Sequence, residues 1–193
     1  MPSEPAAQRK RALRAEIRER RQNMSSNERD AATAGLTENL ESITVDLSAR
    51  SVACYLSTPF EPNTRPFINW AEAQGIRVLF PVSREDGLLD WTVGEENVET
   101  EGIYGLPEAV GELLGPIAVN DVDLIVVPAS AVDSHGVRMG WGRGYFDKTL
   151  GSMERCPPVY AVVFDSEVLD EVPRERHDEP VSGAITPTRI LSF

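Results

Sequence analysis

The sequence predicts a single α/β domain over residues 1–193, a sandwich in which a mostly parallel, Rossmann-like sheet carries helices on both faces. Three observations support this fold class. Short apolar segments alternate with segments of helical periodicity, which is the pattern of such a sheet. Residues 123–127 (DLIVV), stopped by Pro128, are typical of a strand buried on both faces. The length suits one domain with a sizeable core.

Two helices are predicted at the start of the chain, after a loose tail at residues 1–7. Residues 10–21 place apolar side chains one helical turn apart among many charges. Ser25 and Glu28 form a capping box, which predicts a second helix that runs to about residue 40.

Strands and one more helix follow. Residues 51–56 (SVACYL) form a buried strand, and a helix capped by Asn63 or Thr64 runs through residue 73 until Gly75 ends it. Residues 95–119 have little periodicity and are predicted to be a long loop over the sheet. The other predicted strands are residues 76–80, stopped by Pro81, then 88–93, which are more exposed, 159–164 and 181–186.

Composition narrows the class of protein. The net charge of −12 disfavours binding to nucleic acid or to anionic membranes, although residues 1–30 hold eight Lys and Arg against five Asp and Glu. No apolar run is long enough to span a membrane, and because the first residues are charged and lack an apolar run, we expect no secretory signal. Cys54 and Cys156 are expected to be buried, reduced thiols. We therefore expect a cytoplasmic monomer that binds small molecules.

The segment 138–147 (RMGWGRGYFD) has glycine at its third, fifth and seventh positions. Glycines let the backbone approach a ligand closely and adopt positive φ without strain. A helix is predicted to begin near Gly144, and the first N–H groups of a helix attract anions. With Arg138, Arg143 and Lys148 nearby, the segment is predicted to be a phosphate cradle. A tight structural loop would have the same composition.

Two common glycine fingerprints do not fit this segment. A Walker A loop ends in Gly-Lys-Ser/Thr, whereas Gly144 is followed by Tyr145. The dinucleotide fingerprint G-x-G-x-x-G needs its third glycine one residue later. The spacing therefore argues against an ordinary P-loop enzyme and a typical Rossmann dehydrogenase.

Other candidate site residues are charged. Asp147 could hold Mg²⁺ against bound phosphates, or could be a favourable charge in a first helical turn. Lys10 and Arg14 lie one turn apart and project from one helical face, which could be a binding face or a solvated basic face. Glu61 follows a strand at the sheet edge where α/β proteins bind ligands, so it is a candidate substrate contact or a surface acid.

Several motifs in chain order resemble one family, the 5-formyltetrahydrofolate cyclo-ligases, also called 5,10-methenyltetrahydrofolate synthetases. The long signature Pro-x4-Asp-x2-Gly-x-Arg-x-Gly-x-Gly-x-Gly-Tyr-Tyr/Phe-Asp is similar to residues 128–147 and is highly specific. The weaker matches are Lys-x3-Arg at 10–14, the acidic loop at 55–64, Gly-Leu-Pro-Glu-Ala at 105–109, and the late loop and strand at 173–186.

The resemblance implies ATP-dependent closure of 5-formyltetrahydrofolate to 5,10-methenyltetrahydrofolate, with ATP as co-substrate and Mg²⁺ as cofactor. It implies ATP contacts from Lys10, Arg14, Arg138, Met139, Gly140, Trp141, Gly142, Arg143, Gly144, Tyr145 and Phe146. It implies folate contacts from Leu56, Glu61, Tyr104, Trp141 and Tyr145. It assigns catalysis to Arg138, Arg143 and Tyr145, and the metal to Asp147 and Asp178.

The chain departs from the family pattern at three positions. Trp141 stands where many members have a basic or smaller residue, Arg143 keeps a positive charge at a variable position, and Ala109 replaces a proline. Two alternatives remain open from the sequence. One is a sugar-phosphate isomerase or lactonase of similar architecture, and the other is a nucleotide-binding regulatory module without turnover.

Overall fold

The structure is a computed structural model that describes residues 5–95 and 98–193. Its α-helices are α1 (Ala6–Asn23), α2 (Ser26–Asp46), α3 (Arg65–Ala73) and α4 (Tyr145–Gly151), and 3-10 helices span Pro116–Asp121 and Asp165–Glu167. Its strands are β1 (Ser51–Cys54), β2 (Arg77–Ser83), β3 (Leu89–Thr92), β4 (Glu99–Glu101), β5 (Pro107–Ala109), β6 (Leu113–Leu114), β7 (Leu124–Pro128), β8 (Ala131–Asp133), β9 (Arg138–Met139), β10 (Val159–Val162), β11 (Val168–Leu169), β12 (Gly183–Ile185) and β13 (Ile190–Ser192).

Five parallel strands form the centre of the main sheet. The order across the sheet is β13-β12-β10-β7-β1-β2-β3-β6, and the strands from β12 to β2 are parallel. Antiparallel strands close each side, namely β13 next to β12 on one side, and β3 next to β2 with β6 next to β3 on the other. The direction of winding reverses between β1 and β7. Ligands of open α/β sheets bind at this switch point, beside the carboxyl ends of the strands.

Helices cover both faces of this sheet, as the sequence predicts. On one face α2 and α3 contribute Leu40 and Phe67 to a core that includes Val52 and Val126. On the other face, α4 and the 3-10 helix at 116–121 pack against a second core. The strand residues of this second core alternate with those of the first core along the same strands. The strands are therefore buried on both faces, which explains their near-continuous apolar sequences.

The first helix, α1, packs against a third group of buried apolar residues. Ile17 of α1 is fully buried against Val137, Met139 and Val172, beside a small sheet of β11, β8 and β9. The sequence did not predict this sheet, because strands of two or three residues are too short to show a periodicity. Packing here fixes α1 beside the glycine segment.

Four expectations are corrected. Residues 95–119 are not one loop, because β4, β5, β6 and a 3-10 helix lie within that range. Strand β2 runs through Pro81, where a proline is tolerated because the pairing of β2 with β1 ends at Leu79. Strand β3 is buried rather than exposed, since β6 covers its outer edge. Cys54 is buried, but Cys156 is exposed.

Candidate active site

A cleft of about 660 Å³ lies at the switch point of the sheet. It is bounded by α1, the loop that follows β1, the end of β2, the β4–β5 hairpin, and the segment 138–147, which we call the glycine loop. The late loop around Glu175 to Asp178 closes one side. The topology alone predicts a ligand site at this edge of the sheet.

The glycine loop has the backbone conformation that its sequence predicts. Gly142 and Gly144 have φ angles of 94° and 74°, and α4 begins directly afterwards at Tyr145. A Cβ atom added at Gly142 would lie 3.4 Å from the guanidinium of Arg14. This is an ordinary contact distance, so the positive φ rather than the available space favours glycine at position 142.

Two cations of α1 are held against this side of the cleft. Nε of Arg14 donates to the carbonyl oxygen of Gly140 over 2.7 Å. Nζ of Lys10 donates to Oδ2 of Asp178 over 2.6 Å and to Oε2 of Glu175 over 2.7 Å. Burial lowers the pKa of Arg14 from its usual value, yet a guanidinium remains charged at neutral pH. The structure thus places both predicted phosphate contacts in the cleft.

The two predicted metal ligands are both paired with predicted phosphate contacts. Oδ1 of Asp147 accepts hydrogen bonds from Nη2 of the buried Arg138 over 2.7 Å and from the backbone N–H of Glu179 over 3.3 Å. Asp178 is buried beside Lys10. Both acids line the same cleft, so cation–carboxylate pairs surround the space next to the glycine loop.

The donor set at the late loop fits a hard divalent cation. Glu175, His177 and Asp178 have ligand atoms within 4.8 Å of one another. Mg²⁺ prefers carboxylate oxygens, and it usually keeps several waters and phosphate oxygens in its coordination sphere. Asp147 lines the same cleft, but it is not part of this group of ligand atoms. The residues present therefore fit a magnesium ion bound together with phosphates.

The opposite side of the cleft carries the predicted folate contacts. Oε2 of Glu61 accepts from the backbone N–H of Thr58 over 2.8 Å, which fixes the carboxylate in the loop after β1. Leu56 is half-buried in the same wall. The hydroxyl of Tyr145 donates to the carbonyl oxygen of Arg84 over 2.9 Å. Burial and the neighbouring Tyr104 raise the pKa of Tyr145 to about 12.

Tyr104 brings the β4–β5 hairpin into contact with the glycine loop. The ring centroids of Tyr104 and Tyr145 are 6.0 Å apart, and the guanidinium of Arg143 lies 3.6 Å from the centroid of the Tyr104 ring. Tyr104 is at the tip of the β4–β5 hairpin, and it contacts the cleft residues without being a lining residue itself. This cation–π contact joins the hairpin to the glycine loop.

Trp141 has two guanidinium groups close to its ring. The guanidinium groups of Arg18 and Arg21 lie 5.5 and 5.1 Å from the centroid of its indole ring. Arg21 is in turn held by a buried ion pair with Glu167, with Nε 2.7 Å from Oε1. Nε1 of Trp141 is buried and has no hydrogen-bond partner in the described residues, so it could donate to a ligand.

Besides Tyr104, two further residues of the predicted set do not line the cleft. Met139 is fully buried in the core beneath α1, and its carbonyl oxygen accepts from Ser130. Lys148 lies beside Gly87 rather than around the glycine loop. Met139 belongs to the glycine loop and Lys148 directly follows it. Their positions in β9 and α4 nevertheless direct both side chains away from the cleft.

Sequence reasoning missed several charged residues of the cleft, among them Glu108, Arg18, Arg21 and Glu175. Glu108 was visible only as part of a motif, and Oε1 of this buried acid accepts from the backbone N–H of Ser83 over 2.8 Å. Arg18 could have been found, because it continues the i, i+4 spacing of Lys10 and Arg14. No local signal identifies Arg21 or Glu175, whose partners are more than a hundred residues away.

The fold and the cleft define a doubly wound α/β protein with a basic glycine loop at its topological switch point. Residues 6–187 match the model of the 5-formyltetrahydrofolate cyclo-ligase family. The chain belongs to that family.

Individual relatives agree with this assignment. A 5-formyltetrahydrofolate cyclo-ligase of Mycolicibacterium smegmatis is 35% identical over 148 residues, which cover 74% of this chain and 76% of the relative. One of Escherichia coli is 23% identical over 182 residues, covering 92% of this chain and 100% of the relative. The solved structure of Aquifex aeolicus 5,10-methenyltetrahydrofolate synthetase has a TM-score of 0.79 at 27% identity, covering 95% of this chain and 92% of that chain.

Proposed function

We infer that this protein is a 5-formyltetrahydrofolate cyclo-ligase, which uses ATP to convert 5-formyltetrahydrofolate into 5,10-methenyltetrahydrofolate. One observation carries the inference beyond family membership. A single cleft is lined both by the glycine loop with the cations of α1 and by the loop that carries Glu61. That arrangement suits two substrates that must react with each other, one rich in phosphate and one with hydrogen-bond donors.

The reaction needs an activated formyl oxygen, because the oxygen of an amide is a poor leaving group. The formyl oxygen attacks the γ-phosphorus of ATP, a new O–P bond forms, and the bond to the β-phosphate oxygen breaks to release ADP. N10 of the folate then attacks the activated formyl carbon and loses its proton. The C–O bond breaks, and phosphate leaves with the former formyl oxygen. The protein contributes positioning and neutralisation of charge.

We propose that the basic side of the cleft binds ATP. Lys10 and Arg14 would contact phosphates from α1, and Arg138 and Arg143 would stabilise the charge that develops during transfer. The backbone N–H groups of the glycine loop would surround the phosphates, and Trp141 and Phe146 would border the nucleotide. These assignments are supported by the shared cleft and by the positive φ of Gly142 and Gly144.

Asp147 and Asp178 would hold Mg²⁺ with the phosphates of ATP. The ion would supply neutralisation of phosphate charge, as divalent cations do in phosphoryl transfer. Because each acid is paired with a cation of the cleft, we expect the ion pairs to rearrange when nucleotide binds: the phosphates take Lys10 and Arg138 as partners, and the carboxylates are released.

We propose that the opposite side binds the folate. The carboxylate of Glu61 would accept hydrogen bonds from the pterin, Leu56 would pack on its ring, and Tyr145 would lie between the folate and the nucleotide. Tyr104 and Trp141 would supply aromatic walls. Tyr145 would act as a neutral hydroxyl, because its raised pKa keeps it protonated. The domain would work as a monomer in the cytoplasm, where Cys54 and Cys156 stay reduced.

The test follows methenyl absorbance in the near ultraviolet after protein is mixed with Mg·ATP and (6S)-5-formyltetrahydrofolate. Growth of that band only in the presence of ATP is the expected result, and Glu61→Gln should raise KM for the folate without a matching change for ATP. A flat trace from folded protein that still binds ATP would contradict the proposal and would favour a nucleotide-binding module. Along residues 5–95 and 98–193, no helix has the length and apolar character to cross a membrane.

A further inference from the structure

A buried ion pair joins Arg21 of α1 to Glu167 of the second 3-10 helix. Nε of Arg21 donates to Oε1 of Glu167 over 2.7 Å, and Nη2 donates to Oε2 over 2.8 Å. Nη2 also donates to the carbonyl oxygen of Ala129 over 2.8 Å. Oε2 of Glu167 accepts in addition from the backbone N–H of Phe164 over 2.9 Å. The two-pronged pairing and these backbone contacts fix the guanidinium in one position.

Stability is a weak explanation for this pair. Both side chains are only 3% exposed, and the attraction between two buried charges only partly offsets the cost of removing them from water. Apolar residues of similar volume often stabilise a protein as well or better. What the pair provides is a guanidinium with a fixed position, and its contact with the glycine loop is the ring of Trp141, whose centroid lies 5.1 Å away.

Trp141 is one of two side chains by which the middle of the glycine loop can be held. The segment from Gly140 to Gly144 contains three glycines, which have no side chain and leave the backbone flexible. The other side chain, Arg143, contacts Tyr104 of the β4–β5 hairpin. Trp141 packs against the apolar residues beside α1 and is half-buried. The position of its ring therefore constrains the backbone between two glycines.

Three arginines of α1 contact this part of the loop. Arg14, Arg18 and Arg21 are spaced at i, i+4 and i+7, which places them on one face of the helix. Arg14 donates to the carbonyl oxygen of Gly140, and the other two lie over the ring of Trp141. Arg18 is exposed, whereas Arg21 is buried in its ion pair. Of the two guanidinium groups at the ring, that of Arg21 is the one held rigidly.

A flexible loop binds a ligand more tightly when its binding conformation is already fixed, because less conformational entropy is lost on binding. We propose that Arg21, fixed by Glu167, is a positioning residue: it holds the ring of Trp141 and thereby keeps the glycine loop in the conformation that binds Mg·ATP. This inference rests on the proposed cyclo-ligase function. The competing role is a direct contact with phosphate, since Arg21 lines the cleft and its Nη1 has no hydrogen-bond partner within residues 5–95 and 98–193.

The first experiment combines Arg21→Met with Glu167→Gln, so that neither charge is left buried alone, and the glutamine oxygen can still accept from the N–H of Phe164. We expect the dissociation constant and KM for Mg·ATP to rise about tenfold, while kcat at saturating ATP and KM for the folate change by less than about twofold. A purely structural pair predicts a smaller active fraction instead, with lower kcat and an unchanged KM for ATP. That result would overturn the proposal.

The matched control combines Arg20→Met with Glu16→Gln. These residues form an exposed ion pair on the same helix, and neither lines the cleft. The dissociation constant and KM for Mg·ATP should therefore stay unchanged.

A double-mutant cycle with Trp141→Leu separates positioning from direct contact with phosphate. Because Arg21 acts through Trp141, loss of the ion pair should change the dissociation constant for Mg·ATP by less than about twofold in the Trp141→Leu background. A further rise of about tenfold in that background would show a direct contact and would overturn the proposal. Should the paired replacement fail to fold, Arg21→Lys keeps the charge without the two-pronged pairing, and it should give a smaller rise that also disappears with Trp141→Leu.

Binding of Mg·ATP is measured by titration calorimetry without folate, so the two proposals can fail separately. Absence of methenyl product from unaltered protein that binds Mg·ATP would overturn the cyclo-ligase function alone. Binding of Mg·ATP that the paired replacement does not weaken would overturn the positioning role alone. Failure of the unaltered protein to bind Mg·ATP would overturn both.

Discussion

Nζ of Lys10 lies 2.6 Å from Oδ2 of Asp178, although 168 positions separate the two residues in the chain. Both side chains are almost fully buried, so the pair is a fixed part of the cleft rather than a surface contact. The same pairing of a proposed phosphate contact with a proposed metal ligand recurs between Arg138 and Asp147. In both places the protein's own charges balance each other where substrate charges are expected to bind.

Lys10→Met tests the nucleotide side of this arrangement. We expect KM for ATP to rise about tenfold or more, because a charged contact to phosphate is lost. The free energy of unfolding should fall by about 3 kcal/mol, since Asp178 is left buried without its cation. Arg9→Met is the control, because Arg9 is exposed and does not line the cleft. An unchanged KM for ATP would contradict the role given to Lys10.

Asp147→Asn tests the metal side. Loss of one electrostatic element costs about 2–4 kcal/mol of transition-state stabilisation, so kcat should fall by a factor of about 30 to 10³. The fold should be retained, because the amide oxygen can still accept from Arg138, and Asp147→Ala should lower the melting temperature more. Asp86→Asn, at an exposed acid paired with Arg84, should keep normal turnover. Near-normal kcat in Asp147→Asn would show that Asp147 does not hold the metal.

Gly142→Ala tests the backbone of the glycine loop. The φ of 94° is unfavourable for alanine, and its Cβ would touch the guanidinium of Arg14. We expect about 1 kcal/mol of lost stability and a higher KM for ATP, measured by thermal unfolding and initial rates. Gly115→Ala is the matched control, because Gly115 has an ordinary φ and open space around it. Equal effects of the two substitutions would contradict the prediction that the positive φ at position 142 requires glycine.

The thiols should differ in reactivity. Burial raises the pKa of Cys54 to about 12, while partial burial and Glu179 raise the pKa of the exposed Cys156. An aromatic disulfide reagent should modify one thiol in the native protein, faster as pH rises and more thiolate forms, and two after unfolding. Cys156→Ser should remove the native signal. Rapid modification of that variant would show that Cys54 is accessible.

Tyr145 makes stability sensitive to alkaline pH. Its pKa is raised from 10.0 to about 12 in the folded protein, so the folded state keeps a proton that the unfolded state loses. The stabilising contribution is complete below pH 10 and is lost as pH rises from about 10 to 12. Tyr145→Phe should therefore flatten the fall of melting temperature over that interval. An identical pH dependence in the two proteins would contradict this assignment.

Local patterns predicted much of the fold. The capping box of Ser25 and Glu28 forms at the start of α2, and the buried strands β1, β7 and β10 lie where their apolar runs predicted them, because these signals depend on nearby residues. The short strands β8, β9 and β11 were missed, since two or three residues are too few to show alternation. The hairpin of β4 and β5 was predicted as loop for the same reason.

By itself, the sequence determined the α/β class, the glycine loop with its positive φ angles, and the candidates on both sides of the cleft. Those follow from periodicity, glycine spacing and residue chemistry, which are local properties. Only the tertiary structure decided which charges meet: Lys10 with Asp178, Arg138 with Asp147, Arg21 with Glu167. It also placed Arg21 against the ring of Trp141 and directed Met139 into the core. Such pairings depend on how distant segments pack, and no spacing along the chain records them.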